Sequence, residues 1–156
     1  MDMLETAGDI VSSFSLSSCV RCGKCYIVCP SRRNGGIHPD EVVFGLIDSD
    51  PSMKISEVGW EVWKCLMCHR CTMNCPKKID VTGAIRMLRY ASAASGDPPK
   101  RFTAVSETLA KEGRAFPVND AANKKREELG LDALTKDGEA VGELNTIMKR
   151  TGFCFE

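Results

Sequence analysis

The 156-residue sequence lacks most of the features that would place it in a common functional class. No apolar run approaches the ~20 residues that cross a bilayer, so a membrane-spanning helix is not expected. The start, Met-Asp-Met-Leu-Glu-Thr, has neither a basic n-region nor an apolar h-region, so a cytoplasmic location is expected. Lys and Arg number 21 and Asp and Glu number 21, a formal net charge of zero that gives no reason to expect nucleic acid or a membrane surface. A Gly-x-Gly-x-x-Gly dinucleotide fingerprint is absent. So is any adjacent Cys-Cys pair. Aromatic residues make up only 6% of the chain, which is little from which to build the core of one compact domain.

Cysteine, by contrast, is plentiful, and eight of the nine cysteines fall in two matching runs. Cys19-Val-Arg-Cys22-Gly-Lys-Cys25-Tyr-Ile-Val-Cys29-Pro30 returns as Cys65-Leu-Met-Cys68-His-Arg-Cys71-Thr-Met-Asn-Cys75-Pro76. C-x2-C-x2-C-x3-C-P is the bacterial-type spacing for [4Fe–4S] clusters, and two copies predict two clusters. A cubane needs four thiolates arranged tetrahedrally. Three cysteines at two-residue gaps can wrap one loop around three corners, and the fourth must arrive from elsewhere. In two-cluster ferredoxins the fourth Cys of each run ligates the other cluster. On that rule Cys19, Cys22, Cys25 and Cys75 hold the first cluster, and Cys65, Cys68, Cys71 and Cys29 hold the second. The proline after each fourth Cys removes an N–H donor and turns the chain away. Two buried clusters would also supply the core that the sparse aromatics do not.

Other uses of cysteine fit less well. Zinc takes C-x2-C pairs separated by a longer loop, and a third thiol at the same gap in both copies does not suit it. A disulfide framework needs an oxidising compartment. A redox C-x2-C would not need doubling. Charge favours an anionic cluster, which requires nearby cations or N–H donors. Arg21, Lys24, Arg32 and Arg33 surround the first run, with no acid from Cys19 to Gly36. Lys64, Arg70, Lys77, Lys78, Arg86 and Arg89 surround the second, against Asp80 alone.

The rest of the chain reads as helix, predicting an all-α fold. Leu4, Ile10, Val11 and Phe14 mark a short helix or partner-binding arm. His38-Pro39-Asp40-Glu41 opens a helix with Pro in its first turn and acids at the positive end of the dipole. Its apolar face is Val42, Val43, Leu46 and Ile47, and Asp50-Pro51 ends it. Ile55 to Lys64 reads as a second helix, with Ile55, Val58, Val62 and Trp63 inward. Asp80 caps a third, whose stripe is Val81, Ala84, Ile85, Leu88 and Ala91, stopped by Gly96-Asp97-Pro98-Pro99. Phe102 to Glu112 follows, with Gly113 at its C-terminus. Asn119 or Asp120 caps another, closed by Gly130. Leu131 to Gly142 reads as a surface loop and Glu143 to Arg150 as a last short helix. Strand alternation is missing between the cysteine runs. The expected organisation is an arm over 1–14, a cluster domain over 15–96 and a helical, partner-binding extension over 97–156. His69 reads as a surface residue or one tuning a cluster by hydrogen bonding, Trp60 and Trp63 as packing, and Cys154 as a bystander thiol, with an interface between protein chains the lesser alternative.

The two runs in an all-helical setting resemble the α-helical ferredoxin fold, which also occurs in the iron–sulfur subunits of succinate dehydrogenases. More narrowly, the chain is similar to the family of heterodisulfide reductase C subunits. That likeness rests on Trp63-Lys64-Cys65-Leu66-Met67-Cys68 and Cys75-Pro76-Lys77-Lys78-Ile79-Asp80-Val81. The tail adds Gly113-Arg114-Ala115-Phe116-Pro117-Val118-Asn119-Asp120-Ala121 and Ile147-Met148-Lys149-Arg150-Thr151-Gly152-Phe153. It covers roughly residues 15 to 153. The resemblance implies an oxidoreductase component that relays electrons between two partners. The donor is an A-type protein bearing flavin and iron–sulfur clusters. The acceptor is a B-type protein that carries Cys-Cys-Gly motifs and reduces the disulfide of coenzyme M and coenzyme B. Lacking a Cys-Cys pair, this chain would carry no catalytic substrate site of its own. The sequence departs from the methanogen pattern at Arg21, Lys24 and Tyr26-Ile27-Val28, which leaves a sulfur-oxidation-type complex as an alternative. The iron–sulfur component of a succinate-, fumarate- or glycolate-type flavoprotein is a further alternative. Against it, the chain has no cysteines for a plant-type [2Fe–2S] domain. A structural zinc module is the third.

Overall fold

The computed structural model of the chain describes residues 6–55, 60–95 and 98–151. The chain forms two compact units, Met1–Pro98 and Pro99–Glu156. Among the described residues there is no strand, only an isolated antiparallel bridge between Thr6 and Lys54. The fold is all-α, as the sequence predicts.

The first unit begins with α1, Ala7–Ser13. Thr6 and Asp9 cap it reciprocally: the Thr6 hydroxyl accepts from the Asp9 amide, and the Thr6 amide donates to the Asp9 carboxylate. Ala7 and Ile10 are fully buried, so this helix is part of the core. Two very short helices follow the first cysteines of each run: α2, Lys24–Val28, and, after the intervening segment, α4, Arg70–Met73. Between them lies α3, Pro39–Asp48, with Pro39 in its first turn and Asp40 and Glu41 at its N-terminal end. The long helix α5, Val81–Ala94, is capped by the Asp80 side chain, which accepts from the Gly83 amide. Its buried stripe, Val81, Ala84, Ile85 and Leu88, is the one predicted from its spacing.

Helices α1 and α3 pack together, α5 packs on α3 and α4, and α2 packs on α4. The core between them is aliphatic. Ile10, Leu16, Ile37, Ile55, Ile85 and Leu88 are its largest fully buried side chains. Cys29 and Cys71 are buried in the same cluster, and Cys19, Cys25, Cys65 and Cys75 pack against it. Sulfur thus takes the place that aromatic rings fill in other small domains.

The helix expected over Ile55–Lys64 is not an α-helix where it is described: Trp60–Lys64 is a 3-10 turn, and residues 56–59 lie outside the described segments. The tighter turn is held from outside. Arg89 on α5 donates through Nε to the Val62 carbonyl at 2.9 Å and through a terminal nitrogen to the Trp63 carbonyl at 3.0 Å. Val62 is buried, and Trp63 packs on the core with its indole N–H on Ser92 Oγ at 3.0 Å. The packing expected of Trp63 is therefore present.

The second unit holds α6, Lys100–Glu112, α7, Asp120–Glu128, and α8, Gly138–Arg150. Gly113 ends α6 and Gly130 follows α7, both at left-handed φ, and the Asn119 side chain caps α7. Helix α8 starts earlier than expected. The Asp137 carboxylate accepts from the Glu139 and Ala140 amides, so the residues read as the end of a loop are its first turn. Helices α6 and α8 pack together, with the Asn145 amide donating to the Ala110 carbonyl at 3.1 Å. Cys154 lies outside the described residues.

Candidate functional site

The two cysteine runs fold into loops with the same backbone. In the first, Arg21 and Gly23 take left-handed φ of 50° and 71°; in the second, Met67 and His69 take 51° and 59°. These are matched positions, two and four residues beyond the first cysteine of each run. The hydrogen bonds match as well. The Arg21 amide donates to Cys19 Sγ at 3.4 Å, and the Met67 amide to Cys65 Sγ at 3.4 Å. Farther along, the Ile27 amide reaches the Gly23 carbonyl and the Met73 amide the His69 carbonyl, closing α2 and α4. The Cys29 and Cys75 amides then donate to the Tyr26 and Thr72 carbonyls. Only glycine adopts left-handed φ without cost, so at Arg21, Met67 and His69 the amide–sulfur bonds and the packed helices must hold the conformation.

Each loop frames a cavity, and each cavity crosses the two runs. The first is lined by Cys19, Cys22, Cys25 and, from the second run, Cys75. The second is lined by Cys65, Cys68, Cys71 and, from the first run, Cys29. The spaces measure about 410 Å³ and about 300 Å³, open mouths included. Among the described residues no acidic side chain lines either cavity. Arg21, Lys24 and Lys77 border the first, and His69 and Arg70 border the second. None of the eight cysteines of the two runs is in a disulfide; Cys29 and Cys71 are buried and Cys22 and Cys68 are exposed. Among the described residues no three His, Cys, Asp or Glu side chains are grouped to hold a single metal ion. Four thiols around a cavity, sulfur-directed amides and an acid-free lining fit the net anion of an iron–sulfur cluster.

Burial acts on the thiols directly. It pushes Cys25 up to about 11, with the Asp40 carboxylate adding to the effect. Burial also raises Cys65, while the Met67 amide and Arg89 pull it back toward the thiolate. Because the metal ligand is the thiolate, amides and cations aimed at these sulfurs favour the form that binds.

Several residues that organise the site escaped the sequence reading. Ser31, 6% exposed, donates to the Lys64 carbonyl at 2.7 Å and accepts from the Ile37 amide at 3.3 Å, which stitches the end of the first run to the start of the second. Gly36 makes this contact attainable: a Cβ there would sit 1.9 Å from Ser31 Oγ. Thr82 Oγ1 lies 3.3 Å from Cys71 Sγ and 3.0 Å from Thr72 Oγ1, and Thr72 also donates to the Asp80 carboxylate. Thus the cap of α5 and the wall of the second cavity are one network. Small polar residues carry no signature of such roles in a sequence. His69 is exposed, and its left-handed backbone at the start of α4 gives it a conformational role.

Residues 15–79 match the family model described as a 4Fe-4S dicluster domain. The chain is 35% identical over 144 residues to the C subunit of the ferredoxin/F(420)H(2)-dependent CoB-CoM heterodisulfide reductase of Methanosarcina acetivorans, covering 88% of this chain and 86% of that protein. It is 31% identical over 157 residues to the C subunit of the ferredoxin:CoB-CoM heterodisulfide reductase of Methanosarcina mazei, covering 98% and 92%. A third relative is the C subunit of the H(2):CoB-CoM heterodisulfide,ferredoxin reductase of Methanothermobacter thermautotrophicus, 31% identical over 150 residues and covering 89% and 76%. Among the described residues no helix is long and apolar enough to cross a membrane. The likeness extends well past the cysteine runs into the C-terminal helices, and the chain belongs to the family of heterodisulfide reductase C subunits, which are iron–sulfur electron-transfer proteins.

Proposed function

We propose that this chain is the electron relay of a cytoplasmic heterodisulfide-reductase-type complex. It takes single electrons from an A-type partner that bears flavin and iron–sulfur clusters. It delivers them to a B-type partner with Cys-Cys-Gly motifs that reduces the CoB-CoM heterodisulfide. The observation that carries the reading is the crossed lining of the two cavities, each with three thiols from one run and one from the other. Two [4Fe–4S] clusters are the cofactors it implies. Cys19, Cys22, Cys25 and Cys75 hold the first; Cys65, Cys68, Cys71 and Cys29 hold the second. Bound clusters supply reversible one-electron storage without proton or bond chemistry.

The chain's own residues do the rest. Packing of α2 on α4 brings together the short helices that carry Cys25 and Cys71. Buried Cys29 and Cys71 keep water from the inner side. Exposed Cys22 and Cys68 mark two outer edges, each beside exposed apolar side chains at matched positions: Val20 and Ile27 on one, Leu66 and Met73 on the other. A relay needs two such edges, one for a donor and one for an acceptor. The helices of the C-terminal extension, residues 97–156, serve as partner-binding surface in this reading. A sulfur-oxidation-type complex is the second reading, favoured by the basic first loop with Arg21 and Lys24.

The test is Cys75→Ser under anaerobic conditions. Crossed ligation predicts damage to the cluster framed by Cys19, Cys22 and Cys25, seen as loss or change of one of two EPR signals. If the cluster of Cys65, Cys68 and Cys71 is lost instead, the assignment is wrong. A pull-down assayed for iron, sulfide and zinc tests the wider reading. About eight irons, with a flavoprotein and a Cys-Cys-Gly protein captured alongside, are expected; zinc without sulfide would overturn it.

A further inference from the structure

The two loops share a backbone but not an electrostatic setting. Beside the second cavity stands a part-buried cation, Arg89, bonded to the main chain of the second run. Arg89 projects from α5 and donates to the Val62, Trp63 and Cys65 carbonyls; the last bond is to the peptide of a cluster-facing cysteine. Its guanidinium also lies over the Trp63 ring, 5.4 Å from the centroid. All these partners are neutral, and no carboxylate pairs with Arg89 among the described residues. Its charge is therefore not cancelled locally, and its field reaches the Cys65 sulfur.

The first cavity is bordered by α3 through Val43 and Phe44, one turn beyond Asp40. Asp40, in the first turn of α3, has Oδ1 buried without a hydrogen-bond partner, and its field reaches Cys25. The cations on that side are weaker counterweights. Arg21 is exposed and paired with Asp48, while Lys24 and Lys77 border the cavity from its solvent side, where charge is screened. A charge inside the protein acts on its neighbours more strongly than one in water.

A reduced cluster carries one more negative charge than an oxidised one, so a nearby buried cation stabilises the reduced form and an anion destabilises it. Building on the crossed-ligand reading above, we propose that Arg89 poises the second cluster at a higher reduction potential than the first, giving the relay a built-in direction from the Cys19–Cys22–Cys25–Cys75 site to the Cys65–Cys68–Cys71–Cys29 site. One electron leaves the first site and enters the second; no proton moves and no bond changes. The partner that donates electrons then docks at the Cys22 edge and the one that accepts them at the Cys68 edge. Arg89 is a positioning residue here: it touches the Cys65 peptide and acts on the cluster through its field.

An EPR-monitored redox titration of the cluster-loaded chain tests this, with two variants. Arg89→Gln keeps an amide donor and removes the charge; Arg89→Lys keeps the charge and removes the fork. Cys68→Ser marks which of the two reduction steps belongs to the second site. The expected result is that the higher step is the one Cys68→Ser perturbs. Arg89→Gln lowers that step by about tenfold in its equilibrium constant, about 59 mV for one electron. Arg89→Lys leaves it in place, and the lower step moves in neither. A merely structural clamp would show no such split between Gln and Lys. The proposal is overturned if Arg89→Gln moves the lower step or neither, if both variants lower the higher step equally, or if Cys68→Ser perturbs the lower step. If Arg89→Gln fails to assemble, Arg89→Lys decides alone, and a lowered higher step refutes the proposal. Iron analysis separates the two readings: fewer than about eight irons in the unmodified chain would remove the two-cluster reading itself, whereas eight irons with unsplit potentials would remove only the direction.

Discussion

Replacing Ser31 by alanine should separate the two halves of the cluster unit more sharply than its small volume suggests. The hydroxyl is buried and works in both directions, donating to the Lys64 carbonyl at 2.7 Å and accepting from the Ile37 amide at 3.3 Å. Loss of the first bond costs about 0.5–1.5 kcal/mol. Loss of the second is worse, because Ile37 is only 1% exposed and its amide gains no water in exchange; an unsatisfied buried donor costs about 1–3 kcal/mol. Together the substitution should destabilise the unit by about 2–4 kcal/mol. At about 4–8 °C per kcal/mol for a domain of this size, the melting temperature should fall by roughly 8–32 °C. The assay is an anaerobic thermal scan at fixed rate, following helix content and the visible absorbance of the clusters. Both signals should drop together, since Ser31 joins the segments that carry Cys29 and Cys65. Ser18→Ala is the control: its hydroxyl also donates to a carbonyl, that of Ser15, but at an exposed site, and it should cost under about 1 kcal/mol. A fall of less than about 4 °C for Ser31→Ala, or one equal to that of Ser18→Ala, would refute the reasoning.

Two further substitutions follow from the same geometry. A Cβ at Gly83 would lie 2.3 Å from Asp80 Oδ2 and 2.6 Å from Phe14 Cε1, so Gly83→Ala must displace the α5 cap and should cost about 2–4 kcal/mol, read as a lower melting temperature. An unchanged melting temperature would mean the cap tolerates the shift. Asp50 accepts from the Ser52 amide and hydroxyl, which holds its carboxylate below the ordinary value. A lowered carboxylate pKa contributes stability in full above the unfolded value, and that contribution is lost as pH falls through the folded value. In an NMR titration Ser52→Ala should therefore raise the Asp50 midpoint; a midpoint that stays put would show that Ser52 is not its cause.

The doubled cysteine spacing was legible as a repeat, and the structure lines each cavity with three thiols of one run and one of the other. Helices α3 and α5 were equally legible, since Pro39, Asp40, Glu41 and Asp80 mark their starts and an apolar stripe fixes their inner face. Short helices inside the loops were not. Helices α2 and α4 are too brief for periodicity, and a left-handed residue such as Arg21 or Met67 leaves no trace when it is not glycine. The Ile55–Lys64 stretch has a helical apolar pattern, but the described part is a 3-10 turn clamped by Arg89 from a distant helix, and local propensity does not report a long-range clamp. At α8 the glycines Gly138 and Gly142 read as loop, yet the Asp137 cap outweighs them. Arg89 itself was visible only as one of several positive charges; its partners come from folding.

The matched loops carry a lesson about what is free to vary. Two segments with matched left-handed residues and the same amide-to-sulfur bond differ at every position between the cysteines, among them Val20 against Leu66, Arg21 against Met67, Gly23 against His69 and Lys24 against Arg70. Main chain and sulfur define the shape, so the intervening side chains are released from holding it. They can be exchanged to suit a neighbour, a charge or a solvent boundary while the metal cradle stays as it is. A duplicated scaffold of this kind lets its two halves diverge in surface chemistry independently, so one fold can face two different companions.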